Sequence, residues 1–471
     1  MPTLNLKYHD MKIRHTELSD GINDPFENCK LDRKQYAAIL NTLVENFGEG
    51  FVIALNNPWG AGKTTFVKMW EQDLQSKGYK TLYFNAWEND FEEKPLVAIL
   101  AHLKTLTSKP STKLFNQLID KGKVLTNIVV PGVLKALISP YVSAEHLKLL
   151  TDGIAEGTGE ILSEEIENYS KKQEGLKKFR DSLKAFVEAS TTKYPLVFII
   201  DELDRCRPNY AVELLENIKH LFSVEKIVFV LSIDKAQLCH AVKGVYGNDN
   251  IDAEEYLRRF IDIEYSLPDP PLNVYSKYLY DYFAFDRILF SEKRKPYEQY
   301  FAPVKRGFIE NTGPLFALFN LNLRQQEKVM ASLRITVSLF SVNAFIAPEL
   351  LVFMSVWKFK DPSTFNRVYS RKYSLQQLIN EFEKFVPDAI PKATKRLIMY
   401  IKARVVVFYH NGSDSGHEPL VNDNGDCALT STLFQPNDFT NALKSVDRDE
   451  QRHYNLDEIL KKINISEDFN V

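Results

Sequence analysis

Cysteine is scarce in this chain of 471 residues: four are present, Cys29, Cys206, Cys239 and Cys427. They lie too far apart for a disulfide framework or a zinc knuckle, so a reducing compartment, the cytoplasm, is expected. An excess of one charge is also lacking. Lys and Arg number 59 against 62 Asp and Glu, a formal net charge of −3. That balance excludes a globally polybasic nucleic-acid binder but not a local basic groove. The opening MPTLNLKYHDMKIRHTEL has no apolar core, and no secretory leader is expected there. No H-E-x-x-H and no G-x-S-x-G occurs, and the nine histidines show no ligand-like spacing. Protease, nuclease and zinc chemistry therefore have no evident seat. What remains is an ordinary globular composition, 44% hydrophobic and 26% charged, long enough for two to three domains.

Long hydrophobic runs are rare too, with one exception. Val124 to Val142, VLTNIVVPGVLKALISPYV, carries a single charge, Lys135, over about the length of a membrane span. Pro131-Gly132 and Pro140 argue against a span, and a pair of buried helices broken at the proline is the preferred expectation. Contact with the inner face of a membrane is the alternative, because Ala101–Leu150 holds seven lysines against two acids. Thr151–Ser190 then reverses the balance, with six basic and nine acidic residues. Lys104, Lys109, Lys113, Lys121 and Lys123 form a basic strip, for which a solvated face is preferred over a nucleic-acid contact.

Five short apolar runs mark strands: FVIAL (Phe51–Leu55), TLYF (Thr81–Phe84), LVFII (Leu196–Ile200), IVFVLS (Ile227–Ser232) and IDIEYSL (Ile261–Leu267). Runs without polar alternation suit strands buried on both faces of a parallel sheet, and the helical patterns between them predict a doubly wound α/β domain. More than a hundred mostly helical residues separate the second run from the third. Beyond Pro268-Asp269-Pro270-Pro271 amphipathic helix patterns dominate.

The first strand leads into Asn57-Pro58-Trp59-Gly60-Ala61-Gly62-Lys63-Thr64-Thr65, a phosphate loop G-x-x-x-x-G-K-[ST] with Asn in place of the first Gly. Glycines let the backbone curl its N–H groups towards phosphate oxygens, and the following helix adds its positive end. Lys63 is expected to reach the β- and γ-phosphates and the Thr64 hydroxyl to hold Mg²⁺. Asn57 is read as a substitute because Asn tolerates the left-handed backbone region. The third strand ends in Asp201-Glu202, which places Asp201 at the Mg²⁺ shell and Glu202 as the base for the attacking water. Asp204 and Arg205 follow, within reach of the site or of a neighbouring subunit. Asn85 is expected to position the water or hold a carboxylate, Trp87 to fill the core, and Trp59 to pack over the loop and brace it. No N-K-x-D occurs near the site, which favours ATP over GTP.

Trp59 within P-W-G-A-G-K-T, the run Phe84-Asn85-Ala86-Trp87, and Asp201-Glu202-Leu203-Asp204-Arg205-Cys206 together resemble the motifs of the KAP family of P-loop NTPases, with Glu for the second Asp of D-D-L-D-R-C. Weaker similarities run through Asp24–Ala37, Ser232–Leu238, Glu255–Pro268 and Asn322–Val329. The resemblance implies a P-loop NTPase core of the additional-strand, catalytic-glutamate type, interrupted by the helical insertion and followed by a helical domain. It implies Asp234 as a polar sensor near the γ-phosphate and Arg324 as a second sensor. Arg258 and Arg259 become candidate fingers, in cis or across an oligomer interface. The expected organisation is an NTPase core in residues 1–95 and 191–270, an insertion in 96–190, a small sensor-like helical domain in 271–340 and a helical tail in 341–471. The expected function is an Mg²⁺-dependent ATPase switch or motor, oligomeric and acting on an effector protein, in bacterial anti-phage defence. A nucleotide-gated scaffold with little hydrolysis is the second expectation.

Overall fold

The computed structural model describes residues 24–27, 29, 31–47, 50–109, 111–126, 158–191, 193–247, 250–413, 420–421, 427–448 and 454–468. These fall into two compact units, one drawn from the stretch Arg33–Pro268 together with residues 24–27 and 29, the other from the stretch Asp269–Val471 together with residues 31–32.

The first unit opens with α1 (Lys34–Asn46), β1 (Phe51–Asn56), α2 (Lys63–Ser76) and β2 (Lys80–Asn85). The insertion follows as α3 (Pro95–Leu103), α4 (Thr112–Thr126) and α5 (Thr158–Ser190). Then come β3 (Leu196–Asp201), α6 (Pro208–His220), β4 (Ile227–Ile233), α7 (Lys235–Tyr246), α8 (Ala253–Arg258) and β5 (Ile263–Tyr265). The five strands form one sheet in the order β2-β3-β4-β1-β5, with every pairing parallel. β4 therefore stands as an additional strand between the phosphate-loop strand β1 and the acidic strand β3.

Burial follows position in the sheet. Every residue of β3 and β4 is buried, as an unbroken apolar run requires when both faces are covered. β2 lies at the edge and alternates instead. β5 is shorter than the seven-residue run suggested: ahead of it the Asp262 N–H still donates to the Val52 carbonyl at 3.0 Å, and past it the chain bonds to a side chain instead of the ladder. The Asp262 carboxylate accepts from the Val52 N–H at 2.8 Å, and the backbone of Leu267 is taken by Asn57.

Rings knit the sheet to the helices. Phe198 stacks on Phe229 at 5.4 Å, Phe229 meets Phe222, and Phe222 meets Phe179 of α5 edge-on at 5.8 Å. Phe115 of α4 packs on Phe186 of α5 at 5.3 Å. Helices α4 and α5 thus bury side chains in the same core as the sheet. The apolar run Val124–Val142 lies outside the described residues from 127 onward. Among the described residues no helix is long and apolar enough to cross a membrane. Lys104, Lys109, Lys113 and Lys121 are exposed.

The second unit is helical. One hydrophobic core extends from Tyr275 to Ile463, so the segments 271–340 and 341–471 share it. At its centre a helix, Pro348–Lys360, is buried on all sides along Pro348–Lys358, as expected for a helix apolar around its circumference. Phe353 stacks on Phe382 at 4.7 Å and Trp357 on Phe385 at 5.0 Å. A buried ion pair, Lys402 with Glu383, pins the segment 431–433 beside this core. The Glu383 carboxylate also accepts from the Ser431 hydroxyl at 2.7 Å and from the Thr432 N–H at 3.1 Å. Burial alone would raise the Glu383 carboxyl, but Lys402, Thr432 and Ser431 outweigh it and hold it down at about 2. A carboxyl depressed on folding adds stability above its unfolded value near 4.5 and loses it as the pH falls towards 2. Acid titration followed by circular dichroism should therefore show destabilisation between these values, with Glu383→Gln less stable at neutral pH and flatter across that window.

Candidate functional site at the carboxyl edge of the sheet

The ends of β1, β2, β3 and β4 converge. In the ladder Asn85 stands opposite Asp201, and Asp201 opposite Ser232, so three polar residues close one row of an otherwise apolar sheet.

The phosphate loop turns at Gly60 (φ 81°) and Gly62 (φ 78°), left-handed positions that glycine accepts without strain. Gly62 begins α2, and a Cβ there would come within 3.0 Å of the Arg33 guanidinium. Arg33, 4% exposed, donates to the carbonyls of Ala61 at 2.8 Å and Gly62 at 2.9 Å, bracing the loop from behind. Asn57 corrects the reading of the sequence. Its φ is not positive, and its amide instead forms a two-way clasp with Leu267, donating to the carbonyl and accepting from the N–H, each at 2.8 Å. Asn replaces Gly here for its two-sided hydrogen bonding, not for its backbone freedom.

Lys63 is buried, and its Nζ donates to the carbonyls of Asn57 at 2.6 Å and Pro58 at 3.2 Å. Burial lowers its proton affinity, while Asp204, Asp234 and Asp201 pull in the opposite direction. One ammonium therefore faces three carboxylates across the loop. Thr64 and Thr65 occupy the first turn of α2, Thr64 half-buried and Thr65 exposed. Trp59, 43% exposed, donates its indole N–H to the Asp204 carboxylate and its backbone N–H to Asp234 at 3.2 Å. Asp234 also caps α7 by accepting from the Gln237 N–H.

Asp201 is 1% exposed and uses both oxygens: one accepts from the Glu202 N–H and the other from the Tyr83 hydroxyl, each at 3.0 Å. Glu202 sits at φ 60°, ψ 26°, a conformation costing an L residue roughly 1–2 kcal/mol. Strain of this kind persists where the surroundings over-determine it, as at functional sites. Burial raises the Glu202 carboxyl above its ordinary value, with Asp201 adding to the rise and Arg205 opposing it. A raised carboxyl is a stronger base. Arg205 pairs with it at 3.0 Å, and the Asn85 amide faces its other oxygen at 3.5 Å. Trp87, expected in the core, is 54% exposed and lies beneath the Arg205 guanidinium at 5.7 Å. The reason is register: Ala86 takes the buried place past the last ladder pair, and Trp87 falls beyond the sheet.

Arg258 and Arg259 are exposed at the end of α8, Arg258 paired with Glu255 at 2.9 Å. Arg324 is exposed on the first turn of Leu323–Ser338, in the second unit, behind an Asn322–Gln325 capping box. Three residues escaped the sequence: Arg33, Tyr83 and Ser232, whose buried hydroxyl has no hydrogen-bond partner beside Asp201. Tyr83 carries a prediction. Tyr83→Phe frees one Asp201 oxygen while keeping the ring, so the Mg²⁺ concentration needed for half-maximal nucleotide binding, read by calorimetry, should rise about tenfold, as for a lost outer-shell partner. Unchanged Mg²⁺ dependence would contradict this.

A parallel sheet with β4 inserted between the loop strand and the acidic strand, and a phosphate loop facing Asp201-Glu202, defines a nucleotide-binding P-loop NTPase. Residues 33–340 match the model of the KAP family P-loop domain, and the chain belongs to the KAP NTPase family. No curated sequence matches it. Among solved structures it is similar to the Aeropyrum pernix ORC2 protein in its ADPNP–ADP complexes, at 13% identity and a TM-score of 0.32 over 96% of each chain. The ADP form of that protein gives the same identity and score over 97% of each chain.

Proposed function

We propose that this protein is an Mg²⁺-dependent ATPase that works as a switch or motor on an effector partner, in bacterial anti-phage defence. The observation carrying the hydrolytic part is Glu202: a strained, partly buried carboxylate one residue from Asp201, beside a loop whose buried ammonium faces acidic side chains. The donor set suits a nucleotide polyphosphate with Mg²⁺, through the Lys63 ammonium, the Thr64 hydroxyl and Asp201. When bound, Mg²⁺ supplies charge neutralisation at the phosphates. Lys63 holds the β- and γ-phosphoryl oxygens, exchanging the loop carbonyls of Asn57 and Pro58 for them. Glu202 takes the proton of the attacking water as its oxygen bonds to the γ-phosphorus. The bond to the β-phosphate oxygen breaks, releasing ADP and phosphate.

The preference for ATP rests on the absence of N-K-x-D near the site, and the defence role rests on the family alone. Asp234, Arg258, Arg259 and Arg324 are proposed as nucleotide-sensing residues, the two adjacent arginines acting across a homo-oligomer interface. The test is steady-state phosphate release with ATP and GTP, with and without Mg²⁺. Turnover with ATP that disappears on chelation supports the reading, and no release with either nucleotide overturns its hydrolytic part. The Arg205–Glu202 pair favours a second reading, a nucleotide-gated scaffold whose base is held in reserve.

A further inference from the structure

The loop joining β2 to α3 has no part in the chemistry above, yet it presents a surface unlike the rest of its unit. Phe91 is 82% exposed, the most exposed large apolar side chain among the described residues, and Trp87, four residues before it in the chain, is 54% exposed. Between Trp87 and Lys94 the chain carries Glu88, Asp90, Glu92 and Glu93 against the single basic Lys94. The loop is held in shape rather than left loose. Asp90 accepts from the Arg207 N–H at 2.6 Å and from its guanidinium at 2.8 Å, and Asn89 donates to the Asn85 carbonyl at 2.8 Å. A fixed loop that keeps an aromatic ring in water is arranged for a contact.

The chemistry of that contact follows from charge. Glu88 and Glu93, one residue after Trp87 and two after Phe91 in the chain, are exposed. Carboxylates there repel a nucleic-acid backbone or an anionic membrane and attract ammonium and guanidinium groups. The face of Trp87 already carries a cation, the Arg205 guanidinium at 5.7 Å. That same guanidinium pairs with Glu202 at 3.0 Å. Cation–π contacts at exposed sites are weak, so another cation brought in with additional contacts can displace it.

We infer that residues 87–93 dock a lysine- and arginine-rich segment of a partner protein, which displaces Arg205 from Trp87 and loosens its hold on Glu202. The docked segment reads the acidic aromatic loop, and its arrival frees the base. The coupling to hydrolysis rests on the role of Glu202 proposed above, whereas the docking itself does not.

Fluorescence anisotropy of a labelled (Arg-Ser)₅ peptide with the full chain, against a (Glu-Ser)₅ control, tests the docking. Saturable binding of the basic peptide alone is expected. It should weaken about tenfold or more in Phe91→Ser, and likewise in Glu88→Gln/Glu93→Gln. These are surface positions, so folding is not at issue. Equal affinity for wild type and both loop variants, or no binding, overturns the docking. Saturating peptide should raise phosphate release severalfold in wild type but not in Phe91→Ser. Arg205→Ala should hydrolyse faster without peptide and respond no further. Binding without stimulation, or slower hydrolysis in Arg205→Ala, overturns the coupling. A wild-type chain with no hydrolysis at all refutes the catalytic reading, and the binding arm is then still decided by the peptide alone.

Discussion

Lys63→Ala removes nucleotide-dependent turnover and weakens binding of ATP by about 10–100-fold, the loss expected for a charge-assisted contact of about 1.5–3 kcal/mol. The buried Lys63 donates to two carbonyls of its own loop, and its charge is drawn by Asp201, Asp204 and Asp234. Alanine removes the cation, and the loop then offers backbone N–H groups and the end of α2 but no point charge for the γ-phosphate. The three carboxylates lose their counter-charge as well, so they repel an incoming polyphosphate more strongly. Calorimetry of ATP binding beside a phosphate-release assay checks both halves. Retained turnover in Lys63→Ala would refute the assignment of this loop.

Glu202→Gln separates binding from chemistry. The amide keeps the size of the carboxylate and its approach to Asn85, but it cannot accept the water proton. A general base of this kind contributes about 10²–10⁴-fold, and turnover should fall by that factor. Binding of Mg²⁺-ATP should stay within a few-fold of wild type, because Lys63, Thr64 and Asp201 are untouched. The variant should then accumulate in the ATP-bound state, visible as unhydrolysed nucleotide retained through gel filtration. A Glu202→Gln protein that turns over at the wild-type rate would place the base elsewhere.

The parts of this site carried by chain-local pattern could be read in advance. β3 is apolar as far as Ile200 and β4 as far as Leu231 because both faces are covered, and Asp201 and Glu202 come where the chain leaves the sheet. The glycines at 60 and 62 announce their own left-handed turns. What escaped reading depends on partners distant in sequence. Arg33 meets carbonyls 28 and 29 residues on, and nothing around it marks a loop brace. Tyr83 sits in an apolar run, and its hydroxyl finds Asp201 only because β2 and β3 pair in this register. Trp87 looked like core by size, but two residues past the last ladder pair it is exposed. Asn57 was recognised as a departure, yet its reason lies 210 residues away, at Leu267.

That last separation bears on the order in which the unit is completed. A contact across 210 residues closes late, because the long intervening chain must be placed before its ends can meet. The glycine turn and α2 are local and can form early, but the first residue of the loop stays unfastened until residue 267 has been synthesised and brought beside β1. A nascent chain that has just emitted its phosphate motif therefore carries the residues of a nucleotide site without its closure. The clasp on Asn57 therefore closes with the last strand, and a ligand that binds the finished unit stabilises it in preference to its precursors.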